Sequence, residues 1–267
     1  MKVRVNGVDI AYDDHGIGQP VIFLHAFPLN RGMWQEQMTG LLDDQRYRLV
    51  ALDWRGFGES EIANDVSTME MFADDVAALM DMLGMEQAII CGLSMGGYAA
   101  FAFLRKYAHR VRGLILADTR PGADNDEGKA NRERIAQLAE SRGSEAIANA
   151  LLPNLIANET RQNQPAVEAK VRRIIDAATS RGIAAASRGM ALRVDAADLL
   201  PSIACPTLVL VGQHDALTPP AVAQSYAASI PGTQVRVIAG AGHLANLEQP
   251  EAFLEAMRHF LLSSFEV

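Results

Sequence analysis

Positive charge is in short supply in this 267-residue chain: 24 Lys and Arg stand against 32 Asp and Glu, for a formal net charge of -8 and a pI near 5.3. Such a balance repels phosphate backbones and anionic lipid, so neither nucleic acid nor membrane is expected as a partner, and solubility is the plain reading of the charge. Cysteine is scarcer still. Cys91 and Cys205 lie in apolar sequence at expected strand edges, and there is no Cys-x-x-Cys. The pair reads as buried free thiols in a reducing compartment, which makes a cytoplasmic protein the expectation. No metal-ligand cluster or phosphate loop is visible, so neither a metal nor an organic cofactor is expected. Repeats, low-complexity segments and linkers are also missing. A long apolar run occurs from Ala88 to Leu104, without charge. Three glycines, a serine and a change of period inside it mark the buried centre of a soluble domain rather than a membrane span. Residues Met1 to Tyr12 alternate apolar and polar about Asn6-Gly7, a hairpin signal and not a secretory leader, so the mature chain is expected to start at Met1.

What is present is an alternation of short apolar strands and amphipathic helices. After the hairpin, His15 to Pro20 reads as a loop and Val21 to Leu24 as a strand covered on both faces. Residues 33 to 42 read as helix and Tyr47 to Leu52 as the next strand, running into the glycine-punctuated loop Asp53 to Ser60. There Asp53 and Arg55 are expected to brace the turn. Ser67 with Glu70 predicts a capping box for a helix that Gly84 stops. Ala88 to Cys91 and Gly113 to Ala117 follow as strands, so a mostly parallel sheet with right-handed crossovers is expected. The rhythm breaks from Thr119 to about Leu200, where several helical patterns occur, Ala130 to Arg142 and Val167 to Ala178 among them. Twelve basic residues nearly balance eleven acidic ones there. This predicts a helical cap insertion over 119–200 on a core of 1–118 and 201–267, placed to shape a pocket and exclude water. Alternation resumes at Pro206 to Val211. Thr218 is expected to cap a helix with Pro219 in its first position, Val235 to Ile238 to be the last buried strand, and a helix to run from about Glu248 to Leu262.

The chemistry centres on Gln87 to Gly97, where an apolar strand ends at Gly92, Ser94 follows, and Gly96 and Gly97 open a helix. A Gly-x-Ser-x-Gly turn between strand and helix forces the serine into a strained conformation and needs small residues where the two backbones meet. The same turn aims the Met95 N–H at whatever binds beside Ser94 Oγ. A serine is a poor nucleophile at neutral pH unless an oriented base takes its proton. Of six histidines, His15, His109 and His259 suit solvated positions, His214 adjoins a better candidate, and His25 precedes the apolar loop after an early strand. His243, in a glycine-rich loop after a late strand, is the candidate base. Asp215, after Val211, is the preferred acid, and Asp118, after Ala117, is its rival because it too follows a strand. The chain order Ser94, Asp215, His243 is that of the nucleophile-elbow hydrolases.

These residues carry a family resemblance. Over essentially its whole length the sequence resembles an α/β-hydrolase. His25-Ala-Phe-Pro28 is similar to the His-Gly-x-Pro oxyanion loop, and Asp53-Trp-Arg-Gly-Phe-Gly-Glu-Ser60 to the family's Asp-x-Arg-Gly-x-Gly-x-Ser. Gly92-Leu-Ser-Met-Gly96 matches the elbow, with Gly212-Gln-His-Asp215 and Gly242-His243 completing the set. Ala26 departs from the pattern, standing where glycine is usual and leaving the backbone less free. The resemblance implies an α/β-hydrolase fold, a mostly parallel central sheet with helices on both faces and a helical cap, and oxyanion donors at the Phe27 and Met95 amides. The elbow and Ala117-Asp-Thr-Arg-Pro121 are similar to 3-oxoadipate enol-lactonase-like proteins and small carboxylesterases, near which lie cofactor-free haloperoxidases. The expected activity is hydrolysis of a small ester or lactone through an acyl-enzyme. Carbon–carbon bond hydrolysis, perhydrolysis of the haloperoxidase kind, and ligand reception without turnover are the alternatives. Nothing in the sequence indicates an oligomeric state.

Overall fold

The computed structural model describes residues 1–42 and 45–265; residues 266 and 267, at the end of the expected core, lie outside it. Strands β1 (Lys2–Val5) and β2 (Val8–Gly16) form the hairpin, and Asn6 (φ 47°) and Gly7 (φ 80°) supply the two left-handed residues that a two-residue turn of matching twist requires. Strand β2 runs through His15 and β3 (Gln19–Leu24) starts before Pro20, so the expected loop shrinks to Ile17-Gly18. A single 3₁₀ turn, Arg31–Trp34, leads into α1 (Gln35–Leu42), followed by β4 (Tyr47–Leu52). Helix α2 (Met69–Met82), β5 (Ala88–Leu93), α3 (Met95–Tyr107) and β6 (Val111–Ala117) continue the alternation.

Between β6 and β7 the chain is helical: α4 (Asp126–Leu155), bent at Gly143 (φ 78°), then α5 (Asn158–Asn163), α6 (Pro165–Asp176) and α7 (Ser180–Ala191). Strand β7 (Thr207–Gly212), α8 (Pro220–Ala227), β8 (Gln234–Ile238), the single turn α9 (Ala245–Glu248) and α10 (Pro250–Ser264) complete the molecule. The eight strands form one sheet in the order β1-β2-β4-β3-β5-β6-β7-β8, antiparallel at β1–β2 and β2–β4 and parallel elsewhere. Every residue of β5 and β7 is buried, which requires cover on both faces. Helix α2 packs on α3, and α1 packs on α10, where a Cβ on Gly40 would strike Leu254 at 2.2 Å.

Several local expectations are corrected. The cap of α2 is Thr68, whose hydroxyl accepts the Met71 N–H at 3.3 Å; Ser67 instead gives its own N–H to Ala185 O on α7 at 3.0 Å. Thr218 caps no helix, since α8 begins at Pro220 and the Thr218 hydroxyl is spent on Asp215. Glu248 is not the start of the final helix: Pro250 is, with the fixed φ suited to a first position, and Glu248 closes the buried turn before it. Strand β8 is the sheet edge, with Val237 43% exposed, because β7 is its one neighbour. Cys91 is buried as expected, but Cys205, in the loop before β7, is only partly so.

Candidate active site

The turn after β5 has the geometry its glycines imply. Ser94 stands at φ 54°, ψ -112°, a left-handed region that a side chain occupies only when its surroundings enforce it. The enforcement is visible. Ser94 N–H donates to Ala117 O at 2.9 Å, and Ser94 O accepts from the Gly97 and Tyr98 amides and the Thr119 hydroxyl. A Cβ on Gly92 would lie 2.4 Å from Gly96 O, and one on Gly96 would lie 2.0 Å from Leu24 O, so strand and helix meet at a distance only glycine allows.

His243, from the loop after β8, brings Nε2 to 2.8 Å from Ser94 Oγ, and its Nδ1 lies 2.8 Å from Asp215 Oδ2. A carboxylate only accepts, so Nδ1 carries the proton and Nε2 is left free to take the serine's. Asp215 is 3% exposed and fully hydrogen-bonded. Its Oδ1 accepts the Leu217 and Thr218 amides at 2.8 and 2.9 Å, and its Oδ2 also accepts the Thr218 hydroxyl at 2.5 Å. Burial alone would raise this carboxyl, but the charge and hydrogen bond of His243 and the Thr218 donors outweigh it and hold it at about 2.

Asp118, the rival acid, is close by but does a different job. It is fully buried at φ 45°, and its Oδ1 accepts the Gly212 N–H at 2.7 Å, tying the end of β6 to the end of β7. Burial, reinforced by the nearby Asp215 charge, pushes its carboxyl well above the usual range. Asp215 and not Asp118 meets His243. The other histidines stay away: His15, His109, His214 and His259 are exposed. His25 is wholly buried, with Nε2 accepting the Trp54 N–H at 3.0 Å and Nδ1–H donating to Ala26 O at 2.9 Å, and burial pulls its pKa down to about 4. Asp53 and Arg55 brace their loop as expected. Asp53 accepts the Arg31 and Glu59 amides, and a Cβ on Gly58 would sit 2.1 Å from its Oδ2, while Arg55 grips Asp75 through two nitrogens. Ala26 has no left-handed φ, so the departure from glycine there costs the loop nothing. Among the described residues neither the Phe27 nor the Met95 amide has an internal acceptor.

A cavity of about 260 Å³ opens onto Ser94 and His243. Phe27, Tyr98 and Leu217 line it together with Ile135, Leu151 and Leu155 of α4. Three features were not legible in the sequence. Thr218 serves Asp215, for which the signal was an Asp followed by residues able to close a turn onto its side chain. Glu248 holds the His243 loop. Asp124 gathers three arginines beside the cavity.

Comparison with known proteins places this geometry among relatives. A family model described as the alpha/beta hydrolase fold matches residues 19–250. A thermophilic esterase from Thermogutta terrifontis, solved with malate bound, is 45% identical and superposes with a TM-score of 0.95 over 99% of each chain. The enol-lactonase from Burkholderia xenovorans LB400 is 28% identical with a TM-score of 0.90, covering 98% of this chain and 99% of that one. The 3-oxoadipate enol-lactonase 1 of Acinetobacter baylyi is 28% identical over 98% of this chain and 93% of its own length. With the family model spanning most of its length and the sheet, elbow and loops in the family's order, this chain belongs to the alpha/beta hydrolase fold family.

Proposed function

We propose that the protein is a serine hydrolase that cleaves a small carboxylic ester or lactone through an acyl-enzyme. The observation that carries this reading is the unbroken relay from Ser94 Oγ through the His243 ring to Asp215, 2.8 Å at each step, at the mouth of a closed-in cavity. Ser94 Oγ attacks the carbonyl carbon as His243 Nε2 takes its proton. The imidazolium is stabilised by Asp215, which keeps its charge because its carboxyl sits at about 2. The oxyanion falls to the Phe27 and Met95 amides, two donors with no internal acceptor to give up. His243 then protonates the leaving oxygen, and a water activated by the same nitrogen attacks the acyl-enzyme and frees Ser94. The helices of residues 119–200 act as a cap over the pocket, and in the reducing cytoplasm Cys91 and Cys205 stay free thiols.

Turnover of p-nitrophenyl butyrate tests the reading. Ser94→Ala should lose about a millionfold in kcat and Asp215→Asn about ten-thousandfold, while Asp118→Asn keeps most of the activity. Ester turnover unchanged in Ser94→Ala, or lost in Asp118→Asn but kept in Asp215→Asn, would contradict it. Because the same relay serves carbon–carbon cleavage and perhydrolysis, the substrate panel includes vinylogous diketones and halide oxidation by the peracetate that acetate and hydrogen peroxide would form at Ser94. Preference for either over every ester would reassign the reaction.

A further inference from the structure

The lining of the cavity carries a charge imbalance. Asp124 is the one acidic residue among its described lining, and three arginines converge on it. Arg193, in the loop after α7, is nearly fully buried, lies 4.3 Å over the Tyr98 ring, and spends its guanidinium on Gly122 O, Met190 O and both Asp124 oxygens. One buried carboxylate is balanced by that one cation. Arg120 and Arg132 are therefore in excess, and both line the cavity that opens on Ser94. Arg120 gives one nitrogen to Asp124 Oδ1 at 3.0 Å, and its Nε is buried without a partner. Arg132 gives only its Nε to Asp124 Oδ2, at 2.9 Å. A guanidinium has five N–H donors in a planar fork, so each of these two keeps most of its donors unspent beside the cavity. Three guanidinium charges share one carboxylate beside a partly enclosed pocket, so an anion that enters it meets an excess of positive charge and unspent donors.

We propose that Arg120 and Arg132 form a carboxylate-binding subsite, so that the ester or lactone cleaved at Ser94 carries a second, free carboxylate. Asp124 and Arg193 are positioning residues. Asp124 fixes the two forks at one spot, and Arg193 with Burial-compensating bonds to Gly122 and Met190 fixes Asp124. Asp124 stays ionised as it does so, because Arg193 and Arg132 overcome the effect of its burial and hold its carboxyl well below the usual range. The apolar walls from Ile135, Leu151 and Leu155 suit the methylene stem between the two ends.

The inference rests on the hydrolase reading, and its test separates the two. kcat/KM is measured for p-nitrophenyl butyrate against the mono-p-nitrophenyl esters of succinic, glutaric and adipic acids, which place the charge on the acyl side. Phenyl butyrate against the butyrate ester of 4-hydroxybenzoate places it on the leaving side. At least one charged ester should exceed its neutral partner by about 10- to 100-fold, the range of a charge-assisted pair, and the advantage should shrink as sodium chloride is raised. In Arg132→Gln and Arg120→Gln the ratio of charged to neutral kcat/KM should fall at least about tenfold, with folding checked by thermal unfolding. The wild-type ratio and its salt dependence need no variant, so a misfolded variant does not blunt the test. Neutral esters turned over as well as every charged one would overturn the subsite and leave the serine hydrolase standing. Absence of any Ser94-dependent turnover would overturn both.

Discussion

Protonating His25 sets two donors against each other. Its Nε2 accepts the Trp54 N–H, so a proton there would face an N–H and break the bond that holds the loop before Phe27. The ring is fully buried and its pKa lies at about 4, below the ordinary value of 6.5, so between those values the unfolded chain binds the proton and the folded chain does not. Its contribution is present in full above pH 6.5 and is lost as pH falls toward 4, amounting to about 3 kcal/mol. Denaturant unfolding at pH 7 and at pH 4.5 should show this loss in the wild type and a shallower one in His25→Gln, whose amide does not titrate. Equal slopes would mean that His25 is not held neutral. Asp215 acts in the same direction at lower pH: its depressed carboxyl adds stability that is present in full above the ordinary carboxylate value of 3.8 and is lost as pH falls toward 2.

Among the contacts that join the helices of residues 119–200 to the rest of the molecule, two are made by residues whose single-residue reading says little. Helix α7 approaches through glycines: a Cβ on Gly182 would lie 2.0 Å from Gly56 O, and one on Gly189 would lie 1.7 Å from Ser67 O. This is why Ser67 is drawn away from capping α2. The second contact is Glu248. Its Oε1 accepts the Gly242 and Leu244 amides on either side of His243, at 2.9 and 3.3 Å, and its Oε2 accepts the Ala157 amide before α5 and the Thr160 hydroxyl within it, at 2.8 and 2.7 Å. One buried carboxylate therefore fixes the His243 loop and the helical segment together. Glu248→Ala strands these donors and should cost about 2–4 kcal/mol, read as a lowered unfolding midpoint, and should reduce kcat by about tenfold as His243 loses its fixed position. An unchanged midpoint and rate would show that water replaces the carboxylate without loss.

At the scale of the molecule, the sheet and the elbow were legible because their signals are local: apolar runs bounded by glycine, and a serine flanked by residues with no side chain to clash. Ser94, Asp215 and His243 were each readable from a position after a strand, and the parallel sheet brings those strand ends to one place. Thr218 bonds Asp215 only three residues away, but which oxygen a turn residue serves depends on how the loop closes. Glu248 and the Asp124 cluster were not legible, because they draw on partners 91 and 69 residues away that depend on how loops and helices dock. The buried last strand was misread because Val235 to Ile238 has the composition of an inner strand, while burial is decided by neighbours that the sequence does not display. The central claim is a covalent step at Ser94. Rapid-quench mass spectrometry of the intact protein with p-nitrophenyl butyrate tests it most directly. The account predicts a burst of p-nitrophenolate of about one equivalent and a transient butyryl adduct that peptide mapping places on Ser94. Turnover with no adduct, or an adduct on another residue, would contradict it.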